Sequence, residues 1–199
     1  TAAGRPFSSV WPRPLAPACL QERFAKPLGL DDTRNCATRP VIPRRALGYE
    51  PQGSQWVNAP FLAMSQPFSA GALCSTVGDL ARWNHALASG QVVSAASYKL
   101  MTTPEGVAAT GAMKYGFGLA RQTMGDRTVI THGGGIHGFI SSNAWIPDVE
   151  LSITVLSNSG QARTDALMMQ LARVALGVPL VQAPKRVALS AEDRARYVG

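Results

Sequence analysis

Apolar positions along this chain follow a helical period between about residues 75 and 101 and a strand period between about 115 and 156. Over residues 75–89, Leu80, Trp83, Asn84 and Leu87 mark one face at helical spacing, Thr76 and Asp79 form a capping-box-like start, and Gly90 stops the run. This predicts a helix, with His85 near its polar edge as a solvated residue rather than a ligand. Shorter helices are expected at 18–24, halted before Lys26-Pro27, and at 95–101, ended before Pro104. Then the period changes. Tyr115-Gly116-Phe117-Gly118-Leu119 alternates large and small residues, Gly125-Asp126 turns into a run over 127–132, and further runs cover 139–146 and 151–156 with Pro147-Asp148 between them. Four runs joined by tight turns predict an antiparallel meander. The apolar stretch 162–176, closed by Gly177 and Pro179, predicts a helix packed on that sheet. The fold class is therefore α+β, an antiparallel β-sheet flanked by helices.

Residues 1–70 hold ten of the fourteen prolines, so this third is expected to be mostly loop. Leu47-Gly48-Tyr49 and Trp56-Val57 are its strand-like pieces. Trp56 and Phe61 either line a cleft or pack under the long loop, packing being the commoner case. Residues 1–17 show no pattern that predicts an element.

Composition removes several classes of protein. With 46% hydrophobic and 16% charged residues in 199, and no apolar run of eighteen, the chain reads as globular without a membrane span. The net charge of +7 comes from scattered basic residues, which favours solubility over nucleic-acid binding. The chain starts at Thr1 with no signal-peptide pattern, so any targeting segment is expected to be absent or already removed, which leaves the compartment open. Cys19, Cys36 and Cys74 are odd in number and lack C-x-x-C spacing, which argues against a zinc site and a disulfide framework. Cys19 and Cys36 are candidates to pair in an oxidising compartment, buried free thiols being the commoner state.

The stretch with most chemical content is Thr131-His132-Gly133-Gly134-Gly135-Ile136-His137-Gly138-Phe139. Side chains this small let a substrate lie against backbone N–H groups, and a donor-rich strand edge beside a histidine suits a carbonyl whose oxygen becomes an anion. The plainer reading is a glycine-rich hairpin turn. Gly133, Gly135 and Gly138 formally match G-x-G-x-x-G, but a strand-like run follows instead of a helix, and no acidic residue stands about twenty positions on. A metal reading of His132 and His137 with Asp126 lacks helical H-x-x-x-H spacing and a third ligand, so no metal and no cofactor is expected.

Four separated segments carry a family likeness across residues 20–176. Pro27-Leu28-Gly29-Leu30-Asp31-Asp32-Thr33, Gly71-Ala72-Leu73-Cys74-Ser75-Thr76 through Asp79-Leu80-Ala81-Arg82-Trp83, His132-Gly133-Gly134 with Gly138-Phe139, and Ala144-Trp145-Ile146-Pro147 with Leu156-Ser157-Asn158 stand in one order. This resembles the serine β-lactamase and penicillin-binding-protein-like family, the class C enzymes and their esterase relatives. The resemblance implies part of a β-lactamase/transpeptidase-like fold and acyl transfer through serine. By the same resemblance His132 stands where the family's lysine or histidine holds the substrate and the hydrogen bonds around the nucleophile. Gly133 and Gly134 complete that motif, and Gly135 offers one of two oxyanion N–H groups. Asn158 matches a position near the substrate carboxylate in class C enzymes. His137 replaces a usual small residue, as a substrate contact or a packed side chain. Histidine in place of lysine tilts the expectation toward esters.

Two of the family's motifs do not occur. The residues three before Lys26, Lys99, Lys114 and Lys185 are Arg23, Ala96, Gly111 and Gln182, so there is no Ser-x-x-Lys, and no tyrosine is followed two residues on by asparagine. A G-x-S-x-G elbow is also absent. The resemblance thus implies a C-terminal portion of a hydrolase domain over residues 1–176, cut at both ends, with the attacking serine elsewhere. Residues 177–199, with Leu189-Ser190-Ala191-Glu192-Asp193, resemble a linker or the opening of a following lipocalin-like domain. The expected partners are a small ester or amide and either a second copy or the segment carrying the nucleophile. A periplasmic or secreted setting is what the family likeness implies.

Overall fold

The computed structural model describes residues 15–36, 41–111, 114–181 and, in the tail, 190, 193, 195 and 196. Most of the stretch likened to a following domain lies outside the described residues. Helix α1 (Leu15–Leu20) runs directly into a π-helical turn at Gln21–Ala25, so the short helix expected at 18–24 begins three residues earlier. A proline-rich excursion follows as expected, but with strands in it: β1 (Arg34–Asn35) pairs with β4 (Leu73–Cys74), and β2 (Tyr49–Gln52) forms a hairpin with β3 (Gln55–Asn58). Cys36 and Cys74 are disulfide-bonded and Cys19 is free. This corrects the expectations of free thiols and of a Cys19–Cys36 pair: the β1–β4 pairing brings Cys36 to a Cα distance of 5.3 Å from Cys74.

Helix α2 (Val77–Ala88) starts where Thr76 Oγ1 accepts from the Asp79 N–H at 3.3 Å, the cap read from the sequence. The Asp79 carboxylate is buried and anchors the preceding loop, accepting from Thr33 Oγ1 at 2.7 Å and Asp32 N at 2.9 Å, with Arg82 as its ion partner. Helices α3 (Ala95–Thr102), capped by Ser94, and α4 (Val107–Thr110) follow. The second was not legible, being one turn long.

The meander has five strands in sequential antiparallel order: β5 (Lys114–Tyr115), β6 (Ala120–Met124), β7 (Arg127–Ile136), β8 (Phe139–Ile146) and β9 (Leu151–Ser157). The run at 115–119 is corrected. Only Tyr115 is in a strand, because the chain turns tightly where Gly116 N–H donates to Leu119 O at 2.8 Å, and the strand before Gly125 is β6. The glycine stretch is also not a loop. Gly133, Gly134 and Gly135 are all extended and pair with Ser142, Ser141 and Ile140, so β7 carries the ladder as far as Ile136 and the turn shrinks to His137-Gly138.

Period-two alternation gives the sheet two covered faces. On one, Val129, Ala144, Ile146 and Ile153 pack against Met168 and Ala172 of α5 (Thr164–Ala175), and Ser142 Oγ meets Thr164 Oγ1 at 2.8 Å. Fully burying residues such as Val129 and Ile146 stabilises the fold by roughly 1.5–3 kcal/mol each. On the other face Asn143 and Trp145 lie against α2. There Asn84 donates to Asn143 Oδ1 at 2.9 Å and to Ser152 Oγ at 2.8 Å, while Asn143 donates back to Asn84 Oδ1 at 2.7 Å. A second small core of Cys36, Met64 and Ala72 takes in Ile136, which ties the excursion to the far end of β7.

Candidate acyl-transfer site

The site is set by where β6 stops. Its last pairing is Ala120 with Thr131, so from His132 to Ile136 strand β7 pairs with β8 alone, and among the described residues no strand covers its other edge. The direction of each backbone group follows from the register. The two-residue turn makes Ile136 and Phe139 a hydrogen-bonded pair, and antiparallel ladders alternate, so Gly134 and His132 also bond toward β8. Gly133 and Gly135 therefore turn their N–H and C=O groups outward along the uncovered rim. Glycine at these places leaves no side chain standing over those donors.

His132 is exposed and lies on the α2 face of the sheet, opposite Asn143. Its Nε2 is 2.8 Å from Tyr115 Oη, with ring centroids 5.9 Å apart and planes inclined by 58°. Beneath it a cavity of about 10 Å³, room for about one water, is bounded by Asn84, Tyr98, Asn143 and Trp145 among others. Burial pushes the Tyr98 phenol above its ordinary value. Trp145 is buried with its indole N–H lacking a partner among the described residues.

The excursion walls the other end of the glycine run. Gly138 N–H donates to Glu50 Oε1 at 3.2 Å, and a Cβ on Gly138 would stand 2.5 Å from Ala59 Cβ and 2.7 Å from the Gly48 backbone. The β2–β3 hairpin thus presses on the β7–β8 turn with no room for a methyl group. Trp56 and Phe61 are 61% and 77% exposed, which overturns the expectation that they pack beneath the loop: the hairpin is held by backbone and glycine contacts instead.

The residues singled out from the sequence are only partly brought together. His132, Gly133, Gly134 and Gly135 share the rim. His137 sits exposed in the turn, with the strand rise placing about 13 Å between His132 and Ile136 beside it, too far for both histidines to hold one ion. Among the described residues no three His, Cys, Asp or Glu side chains converge on one point. Asn158 lies beyond the end of β9, where its Nδ2 donates to Leu47 O at 3.0 Å and its carbonyl accepts from Tyr49 N–H at 2.9 Å. Its amide nitrogen serves the excursion. Tyr115, Asn84 and Asn143 were not read as site residues; the one sequence signal for Tyr115 was its place in a glycine-spaced run just before the His-Gly-Gly strand.

A five-stranded antiparallel sheet covered on both faces by helices, with a His-Gly-Gly strand left open along one edge, defines an α+β domain of the β-lactamase/transpeptidase type. The chain belongs to the Beta-lactamase family, whose sequence model matches residues 16–177. It is 27% identical over 160 residues to a D-aminopeptidase of Gluconobacter oxydans (strain 621H), covering 80% of this chain and 30% of that protein. Among solved structures it is similar to a D-stereospecific amidohydrolase from Streptomyces sp., with a TM-score of 0.67 and 25% identity over 77% of this chain and 47% of the other. It is also similar in fold to the octameric penicillin-binding protein homologue from Pyrococcus abyssi, at a TM-score of 0.68 and 21% identity, covering 81% of this chain and 38% of that one. The chain thus spans less than half the length of each of these relatives.

Proposed function

We propose that this chain supplies the third-motif side of a serine acyl-transfer site, acting on carboxylic esters or amides through an acyl-serine intermediate. The observation that supports the reading is the uncovered rim of β7, along which the outward N–H of Gly135 and the exposed His132 lie about 10 Å apart, an arrangement that suits an oxyanion donor. Gly135 is one donor, and the amide of the attacking serine, on polypeptide outside these 199 residues, is the second. His132 orients the acyl group and the hydrogen bonds around that serine. Gly133 and Gly134 let the substrate approach the strand, with His137 and Asn158 as outlying substrate contacts, both toward the end of the rim nearest the β7–β8 turn. The names of the relatives, a D-aminopeptidase and a D-stereospecific amidohydrolase, support amides beside the esters that a histidine suggests.

The test is complementation. The 199-residue chain alone is expected to give no turnover of an activated ester and no covalent serine labelling by a fluorophosphonate. Mixed or fused with a family segment bearing Ser-x-x-Lys, it is expected to restore both. A serine adduct on the isolated chain, or no labelling in a folded complemented protein, overturns the reading.

A second reading, an inert module that associates with another copy, is favoured by one observation: Leu167, Leu171 and Val174 are 51%, 43% and 64% exposed on one side of α5. Sedimentation at micromolar concentration separates the two. A monomer counts against self-association, and a dimer that stays unlabelled after complementation counts for it.

A further inference from the structure

We propose that Tyr115 is a positioning residue for His132: its phenol O–H donates to Nε2 and fixes the neutral imidazole with its proton on Nδ1. The acyl-transfer role of the pair rests on the function proposed above, while the geometry stands by itself. The two atoms are 2.8 Å apart, and the inclined planes show the rings meeting through polar atoms rather than stacking. A neutral imidazole has one donor and one acceptor nitrogen, and whichever nitrogen accepts decides which face of the ring donates. Phenol O–H is the better donor of the two groups and an imidazole nitrogen the better acceptor, so O–H···N is the favoured sense.

The backbone around Tyr115 is held in a way that an incidental surface tyrosine does not require. Gly116 N–H donates to Leu119 O at 2.8 Å and Phe117 N–H donates to Met101 O at 3.1 Å, so the tight turn after Tyr115 is fastened to the end of α3. A Cβ on Gly116 would collide with the Met101 carbonyl, so the glycine is required for this close approach. On the other side Tyr115 pairs with Ala120, whose partner is Thr131, the residue before His132. Three strands and a helix end thus fix the phenol relative to the ring. With its tautomer fixed, the ring keeps its single N–H donor on Nδ1.

The experiment is long-range proton–nitrogen correlation on the nitrogen-15-histidine-labelled 199-residue chain near pH 9, well above the reference imidazole value of about 6.5. His132 is assigned by its loss in His132→Asn, and His85 and His137 serve as internal references. In the wild type, Nε2 is expected in the acceptor range and Nδ1 in the N–H range. In Tyr115→Phe both signals of His132 are expected to move to averaged positions while the other two histidines stay put. A wild-type spectrum showing Nε2–H, or averaged tautomers, overturns the proposal even if the phenylalanine variant does not fold; so does a folded Tyr115→Phe with an unchanged spectrum. Failure of the acyl-transfer reading shows separately, as absent serine labelling with this spectrum intact.

Discussion

Replacing Gly138 by alanine tests whether the excursion is clamped onto the site or merely lies near it. Gly138 has φ +72°, where an L side chain costs roughly 1–2 kcal/mol. The added Cβ would also stand 2.5 Å from Ala59 Cβ and 2.7 Å from both the Cα and the C of Gly48. Carbon atoms pack at about 3.5–4.0 Å, so the two hairpins must part by about 1 Å. Two of the three atoms are backbone and cannot rotate aside. Overpacking of this kind costs roughly 1–3 kcal/mol, which brings the total to about 2–5 kcal/mol, before any loss of the Glu50 hydrogen bond. Gly29→Ala is the control. Its φ is +63° with nothing within 4 Å of the new Cβ, so it carries the backbone cost alone, roughly 1–2 kcal/mol. Urea unfolding followed by circular dichroism reads both as midpoint shifts at constant slope. Adding Ala59→Gly to Gly138→Ala should restore only a minor part, since the Gly48 backbone still blocks the methyl. If Gly138→Ala and Gly29→Ala prove equally mild, or Ala59→Gly restores full stability, the clamp does not exist.

Two further outcomes follow from the α2 face. Asn84→Ala strands the Asn143 amide and the Ser152 hydroxyl beneath the sheet, and is expected to cost about 2–4 kcal/mol in the same urea assay; a loss under about 0.5 kcal/mol would show that the network is not formed. Tyr98, whose folded-state pKa burial raises above the ordinary phenol value of about 10, binds its proton more tightly folded than unfolded. Its contribution to stability is therefore complete below about pH 10 and is lost as pH rises through the folded value. Tyr98→Phe is expected to flatten that alkaline decline relative to wild type; parallel stability curves between pH 9 and 12 would rule out the burial as its cause.

What the chain revealed as sequence was local. The cap at Thr76 and Asp79 lies within one turn, and the period-two runs of β7, β8 and β9 each declare themselves within eight residues or so, which is why α2 and most of the sheet were legible. The misses depend on partners far along the chain. Cys36 meets Cys74 across 38 residues only because two-residue strands pair, and strands that short have no period to detect. Asn84 counted as one mark on an apolar stripe, yet its partner Asn143 is 59 residues on, and neither position alone signals a buried polar pair. Glycine itself hides the most. A run of three has neither side-chain period nor β-propensity, so only the residues opposite, Ile140, Ser141 and Ser142, make it strand rather than loop.

At the site, too, a short motif depends on neighbours far along the chain. His132-Gly133-Gly134 names the residues proposed to hold an acyl group, but whether Gly133 and Gly135 offer free donors depends on a neighbour that is not in the motif. Had β6 begun four residues earlier, at Gly116, its ladder would have run on past Thr131 as far as Gly135, and the N–H groups of Gly133 and Gly135 on that edge would have been spent on a strand. The turn at Gly116 to Leu119 prevents this by delaying β6 until Ala120. The same turn leaves Tyr115 just beyond the ladder's end, where its phenol reaches His132 instead of solvent. Rim and tyrosine are thus two consequences of one glycine-dependent turn. Gly116→Ala, by displacing that turn, should disturb both together, moving the His132 nitrogen signals and lowering serine labelling in the complemented protein, whereas Tyr115→Phe should leave the rim's amide exchange unchanged.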